Sequence, residues 1–327
     1  MKRKIFKTVV IIVLSLVVLI AGAAAYVVAF LPNTGSPESL TIERTPERIA
    51  RGKYLANNVA ACMDCHSTRD WSLYAAPVKE GSFGGGGDRF DQSLGFPGVF
   101  YSRNLTPYAL GKWTDGELFR AITTGVSKDG NALFPMMPYL NYGKMDKEDV
   151  YSIIAYIRTL QPVKTDVPKA EPAFPFNIIM HTMPTKAAFT HKPSPGDTIN
   201  YGKYLVQVAS CGECHNNKDK GEFAGGNEMQ QPAGILRVAN ITPDKETGIG
   251  TWTKEMFVQR FKMYADSSYK PHKVSPDEVN TLMPWMMYKD MQQSDLEAIY
   301  AYLRTVKPVN NKVVKFEKKN SAVAKHN

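Results

Sequence analysis

Cysteine is scarce in this chain, with four in 327 residues, too few for a disulfide framework to hold a fold of that length. Glycine-rich sequence is confined to Gly84–Gly87 and Gly225-Gly226. Neither stretch ends in the G-K-[ST] of a phosphate-binding loop, so both are read as a loop or short hairpin. The 31 acidic residues are outnumbered by 40 Lys and Arg, a formal charge of +9 that raises the question of a nucleic-acid face. The excess sits at the two ends, however. Lys2, Arg3, Lys4 and Lys7 open the chain, and Lys312, Lys315, Lys318, Lys319 and Lys325 stand against Glu317 at its close. The body between is close to neutral, which excludes nucleic acid as the expected partner. With 43% apolar and 22% charged residues the composition is that of a globular chain, neither disordered nor collagen-like. The length suits about two domains.

From Val9 to Leu31 no side chain carries a charge. At about 1.5 Å per helical residue this run crosses a hydrocarbon core of roughly 30 Å. Basic and no acidic residues precede it, so the amino terminus stays in the cytoplasm and the rest is exported. The competing reading is a signal peptide cleaved near Ala23-Ala24-Ala25. Apolar sequence continuing through Leu31 is longer than an ordinary signal core and favours an uncleaved anchor over residues 1–31.

All four cysteines lie in two motifs, Cys62-Met63-Asp64-Cys65-His66 and Cys211-Gly212-Glu213-Cys214-His215. C-x-x-C-H is the attachment pattern for c-type haem. Two thiols one helical turn apart match the two vinyl groups, and the following histidine becomes the proximal iron ligand. A redox disulfide at each pair has no need of the histidine. A zinc site needs four ligands where each cluster offers three. The pattern therefore points to two covalent haem c groups, held by Cys62, Cys65, Cys211 and Cys214, with His66 and His215 on the irons.

An internal repeat accompanies the motifs. Gly52-Lys53-Tyr54-Leu55 recurs as Gly202-Lys203-Tyr204-Leu205, and Asn104-Leu105-Thr106-Pro107 as Asn240-Ile241-Thr242-Pro243. Trp113-Thr114 recurs as Trp252-Thr253, Met137-Pro138-Tyr139 as Met283-Pro284-Trp285, and Ala155-Tyr156-Ile157-Arg158-Thr159 as Ala301-Tyr302-Leu303-Arg304-Thr305. The order holds while the offset drifts, which places insertions in loops and makes the chain a tandem repeat. Each repeat reads as mostly helical. Thr45-Pro46-Glu47 signals a helix start. Thr114 with Glu117, and Ser294 with Glu297, fit capping boxes. Val150, Ile153, Ile154 and Ile157 form a helical apolar stripe. A proline-rich linker, 166–196, separates the halves.

The sixth iron ligand decides between electron transfer and small-molecule chemistry. Met137 and Met283 occupy one repeat position, and a thioether is a soft ligand suited to haem iron. Met136, Met145, Met286, Met287 and Met291 remain rivals. Of these only Met145 and Met291 also match between repeats, and they sit too close to the last helix. His181 and His191 in the linker, His272 in an insertion and His326 in the tail have no repeat counterpart and are read as solvated or structural.

These residues together resemble class I cytochromes c, and more narrowly the multi-haem cytochrome subunits that accompany membrane-bound alcohol and aldehyde dehydrogenases. The resemblance runs from Thr45 to Val309. It implies an all-α architecture, two tandem three-helix haem domains (45–165 and 197–311) after a transmembrane helix, with a basic tail at 312–327. It also implies His/Met ligand pairs, His66 with Met137 and His215 with Met283. Pro107 and Pro243 are implied to supply the loop that orients each proximal histidine, and Trp113 and Trp252 to lie by the propionates; the alternative for all four is plain core. The implied role is electron transfer, not catalysis. The donor would be a periplasmic dehydrogenase or quinol-oxidising complex and the acceptor an oxidase or soluble cytochrome, with the protein held at the cytoplasmic membrane. The chain departs from that family in having two haem motifs where three are usual. The alternative is an enzyme, a dihaem peroxidase, but it needs one specialised, open haem and these halves are alike. Cys65→Ala and Cys214→Ala are each expected to remove one haem from the intact-protein mass. A wild-type chain with no haem resistant to acid-acetone extraction would refute the assignment.

Overall fold

The computed structural model describes residues 2–318; Lys319, Lys325 and His326 of the expected tail lie outside the described residues. Helix α1 (Lys2–Phe30) has none of its residues buried, and Pro32 follows it, where no helical N–H is available. An extended segment then runs along the first repeat. Ile42 is buried, with its N–H on Asp115 Oδ2 at 2.9 Å.

The first repeat begins with α2 (Pro46–Tyr54), whose N-cap Thr45 accepts the Arg48 N–H as the sequence predicts. A π turn (Leu55–Val59) leads to α3 (Cys62–Cys65). The hairpin β1 (Arg89–Phe90) and β2 (Gly98–Tyr101) follows, then the short α4 (Pro107–Leu110) and α5 (Asp115–Thr124). Both bonds of the Thr114/Glu117 capping box form, at 2.7 and 3.1 Å. After α6 (Tyr139–Tyr142) comes α7 (Lys147–Ile157), with the expected stripe buried and Asp146 as its N-cap. The linker supplies β3 (Glu171–Pro172) and α8 (Phe176–Ile179), which runs on into a 3-10 turn through Thr182. The second repeat is built likewise from α9 (Thr198–Val208), α10 (Cys211–His215), β4 (Glu228–Gln231), β5 (Gly234–Arg237), α11 (Lys254–Lys262), α12 (Trp285–Tyr288), α13 (Gln293–Leu303) and β6 (Phe316–Lys318).

Two expectations are corrected. The chain is not all-α: the described residues contain two antiparallel three-stranded sheets, in the orders β1-β2-β3 and β4-β5-β6. Downstream of each glycine pair the sequence turns to β-formers, Val99-Phe100-Tyr101 and Ile235-Leu236, and a hairpin results. The chain beyond each last helix then adds the third strand. Linker residue Pro172 pairs with Gly98, and Ile235 pairs with Glu317 from the segment read as the basic tail. The Ser294/Glu297 box also fails. Helix α13 starts two residues earlier, its N-cap Gln292 makes no side-chain capping bond, and Glu297 accepts from Gln293 instead. A tertiary contact prevails there, because the Tyr54 hydroxyl accepts the Gln292 N–H at 3.1 Å.

The first and last helices of each repeat cross with their backbones touching. A Cβ on Gly52 would stand 1.7 Å from the Ser152 carbonyl oxygen, and one on Gly202 would stand 1.9 Å from that of Ala298. Only glycine permits such a crossing, which accounts for the repeated Gly-Lys-Tyr-Leu. Its tyrosines then reach across to the other repeat. Tyr54 donates to Asp295 and Tyr204 to Asp149, both at 2.7 Å. Each tyrosine hydroxyl also takes a backbone N–H from the partner repeat's last helix, Gln292 for Tyr54 and Asp146 for Tyr204. The exchange has the form of an isologous, pseudo-two-fold interface, and one apolar core extends through both halves.

Charge breaks the symmetry. Asp149 is ion-paired to Arg51 at 2.7 Å and to Lys192 at 3.0 Å, whereas Tyr201 stands where the second repeat would carry an arginine. Burial alone pushes the Asp149 carboxyl up, but Arg51, Lys192 and Tyr204 outweigh it and hold it below the usual range. Asp295 is pushed up, by burial first, because its hydrogen bonds do not offset the desolvation. A lowered folded pKa adds stability above the unfolded value, lost as pH falls through the folded one; a raised carboxyl pKa has the opposite sign. At pH 7, therefore, Asp149→Asn is expected to cost about 2 kcal/mol, while Asp295→Asn stays within about 0.5 kcal/mol of the parent. Urea denaturation checks this, and equal losses would show that the Asp149 charge contributes nothing.

Candidate functional site

Both cysteine motifs are entered through a residue forced into the left-handed region, Ala61 at φ 49° and Ser210 at φ 53°. Neither is glycine, so each position is held there by what surrounds it. The four cysteines are free thiols. Burial raises all of them, Cys62 and Cys211 to about 12 and Cys65 to about 11. Protonated thiols are poor zinc ligands, and no cluster of three or more His, Cys, Asp or Glu able to hold a metal ion occurs among the described residues.

The histidines are held in the same way twice. His66 Nδ1 lies 2.7 Å from the Arg103 carbonyl oxygen and His215 Nδ1 lies 2.8 Å from that of Ala239. A carbonyl oxygen can only accept, so Nδ1 carries the proton and Nε2 keeps its lone pair. Burial lowers both imidazole pKa values, with the carbonyl contact opposing it, so the rings are neutral at pH 7. A neutral ring with Nδ1–H fixed by a carbonyl is the arrangement seen in metal-ligating histidines. Together with two thiols one turn apart, this donor set fits haem c.

The repeated Asn-x-Thr-Pro motif places the accepting carbonyl. Asn104 Oδ1 takes the Thr106 N–H and hydroxyl at 2.8 and 2.7 Å, while its Nδ2 donates to the Val163 carbonyl at 2.8 Å. Asn240 does the same with Thr242 and Val309. The residue just before each asparagine is the histidine's acceptor. The glycine stretches complete the arrangement. Gly86 and Gly225 donate to the His66 and His215 carbonyls, both at 2.9 Å. A Cβ on either would collide with the Arg103–Asn104 or Ala239–Asn240 backbone, at 2.6 and 2.4 Å. The loops that end in Pro107 and Pro243 therefore meet the histidines through the Arg103 and Ala239 carbonyls. Sequence reasoning found these motifs but missed their purpose, since a carbonyl acceptor leaves no side-chain signature.

Met137 and Met283 sit half-buried against the core in identical turns, with the N–H of Tyr139 or Trp285 on the methionine's own carbonyl at 2.7 Å. Their repeat-matched rivals, Met145 and Met291, are fully enclosed core residues. Trp113 and Trp252 pack half-buried on the core. The surroundings of the two motifs differ. Asp64 in the first is held with Asp88 by the buried Arg69, at 2.7 and 2.5 Å. Glu213 in the second accepts from Asn141 Nδ2 of α6 at 2.8 Å, so the second motif touches the first repeat. Of the remaining histidines, His181 holds the Leu31 carbonyl at 3.0 Å, and His272 stacks on Tyr74.

No protein-family model matches the chain. Among curated proteins it is 30% identical over 276 residues to the fructose dehydrogenase cytochrome subunit of Gluconobacter japonicus, covering 79% of this chain and 52% of that one. It is 26% identical over 302 residues to the cytochrome c subunit of the quinone-dependent alcohol dehydrogenase of Gluconacetobacter polyoxogenes, covering 86% and 60%. It is 31% identical over 199 residues to a diheme cytochrome c-type protein of Cereibacter sphaeroides, covering 56% and 64%. The chain thus spans between about half and just under two thirds of the length of these relatives. The proteins it resembles are thus cytochrome subunits of dehydrogenase complexes and a diheme cytochrome c-type protein. Asn104→Ala and Asn240→Ala are each expected to lower stability by about 2–3 kcal/mol, through three lost bonds in a buried turn. The shift of the denaturant midpoint checks this, and no change would show that the motif is not what fixes the carbonyl.

Proposed function

We propose that the chain carries two haem c groups, one in each repeat. Cys62, Cys65, His66 and Met137 would hold the first, and Cys211, Cys214, His215 and Met283 the second. Residues 45–165 and 197–311 are the two haem domains, α1 anchors them to the cytoplasmic membrane, and both face the extracytoplasmic side. Electrons enter from a dehydrogenase or quinol-oxidising complex and leave to an oxidase or soluble cytochrome. The observation that carries this reading is the proximal arrangement itself, found twice with the same carbonyl, the same asparagine clamp and the same glycine. Duplication without specialisation suits a carrier and not a peroxidase, whose two centres have different tasks.

Bound haem c supplies a one-electron iron couple. The chain's own residues set the conditions for it. His66 and His215 keep Nε2 unprotonated and their rings fixed, so little rearrangement accompanies a change of charge. The core around Leu55, Val59, Leu205 and Val208, all fully buried, keeps water away. Contact between repeats shortens the route: Glu213 meets Asn141, and the Asn58 amide donates to the Met287 carbonyl at 3.1 Å. Buried Tyr142 lies by the Cys62 and Cys65 thiols and buried Tyr288 by those of Cys211, Cys214 and Cys65, and burial raises both phenol pKa values. They stay protonated, so the ground between the repeats carries no phenolate charge.

Redox potentiometry with near-infrared spectroscopy tests the ligand assignment. The wild type is expected to show a methionine–iron charge-transfer band from both haems. Met283→His should lower one potential and leave the other nearly unchanged, and Met137→His should do the converse. A resting high-spin haem with steady turnover of hydrogen peroxide would replace the carrier by the peroxidase.

A further inference from the structure

The linker carries an apolar feature that electron transfer does not use. From Ala173 to Pro184 there is no Asp, Glu, Lys or Arg, and lysines stand outside it at 169 and 186. Within this segment Phe174 is 80% exposed and Ile179 45% exposed. The neighbouring Phe176 is packed edge-on against Phe134 and Phe100, which ties the segment to the first repeat. Large apolar side chains exposed beside well-packed ones indicate a partner.

The end of α1 identifies that partner. Along this helix Ala24 and Val27 are half-buried, as is Leu31 just beyond it, and these fall on one face at i, i+3 and i+7. That face lies against α8 and the 3-10 turn after it, and His181 Nδ1 holds the Leu31 carbonyl at 3.0 Å. The uncharged run from Val9 to Leu31 is about 34 Å long at ~1.5 Å per residue, slightly more than a hydrocarbon core of roughly 30 Å. Ala24 and Val27 lie about 10 and 6 Å inside the outer end of that run at ~1.5 Å per residue, and α8 packs beside this outer end of the helix. Apolar side chains with flanking lysines at that depth have the composition of an interfacial element.

We infer that residues 173–182 form a second membrane contact, with Phe174 and Ile179 seated in the outer headgroup–acyl boundary beside α1. This rests on the reading of α1 as an anchor. The contact would fix the first haem domain at one height and rotation above the bilayer, where a single helix alone would let it swing.

Thiol accessibility of the full-length, haem-loaded protein in phosphatidylcholine/phosphatidylglycerol vesicles tests it, with a charged, impermeant maleimide read by mass spectrometry. Four single substitutions are compared: Phe174→Cys, Ile179→Cys, Val17→Cys within α1, and Lys245→Cys on an exposed loop of the second repeat. Phe174→Cys and Ile179→Cys are expected to react at least tenfold more slowly than Lys245→Cys, with Val17→Cys unreactive. If Phe174→Cys and Ile179→Cys react as fast as Lys245→Cys while Val17→Cys stays protected, the second contact is refuted and the anchor stands. A freely reactive Val17→Cys would refute both.

Discussion

A glycine pressed against a carbonyl of the facing helix sets the geometry of each half of this molecule. With Gly52 on Ser152 and Gly202 on Ala298, the helix leading into the cysteine motif has one angle and one depth available. Everything downstream inherits that placement. The chain leaves the helix through a left-handed residue, makes the single turn that carries the cysteines, and delivers a histidine to a waiting carbonyl. A side chain at either glycine would lift the helix away, and the imidazole would lose its acceptor.

The donor residues of the candidate site were more legible in the sequence than their scaffold. C-x-x-C-H points to one cofactor because covalent attachment fixes residue type and spacing together, and repetition narrowed the candidate methionines to Met137 and Met283 with Met145 and Met291, of which the last two are enclosed in the core. The strands were not legible. Arg89–Phe90 and Glu171–Pro172 are only two residues long, and the third strand of each sheet, β3 or β6, comes from the segments read as linker and tail, with no periodicity to report such a pairing. The failed capping box at Ser294 has the same origin: local capping chemistry was right in kind, but a tyrosine from the other repeat took over the helix start. Thr45 and Thr114, where nothing competes, behaved as local rules require. The asparagine clamps fall between these cases, visible as a repeated motif but silent on what they clamp.

Likeness between the repeats ends at charge. The first motif carries Asp64 in a buried triad with Arg69 and Asp88, and its last helix carries Asp149 paired to Arg51 and Lys192. The second repeat has Glu213 bonded to Asn141 and Asp295 held chiefly by a tyrosine. Burying a charge is tolerable only when it is paired and hydrogen-bonded, and the first repeat meets that condition more fully. Two matching cysteine motifs on matching backbones thus lie in different electrostatic surroundings.

The exchange of tyrosines between halves also bears on how the chain comes apart. Tyr54 finds its carboxylate only on α13, and Tyr204 finds its own only on α7. Were one half to open, it would strand a buried hydroxyl and a buried acid in the other, beside an apolar core that the two share. The halves are therefore one cooperative unit, and damage to one is transmitted to its neighbour as a loss of fold and not merely of contact.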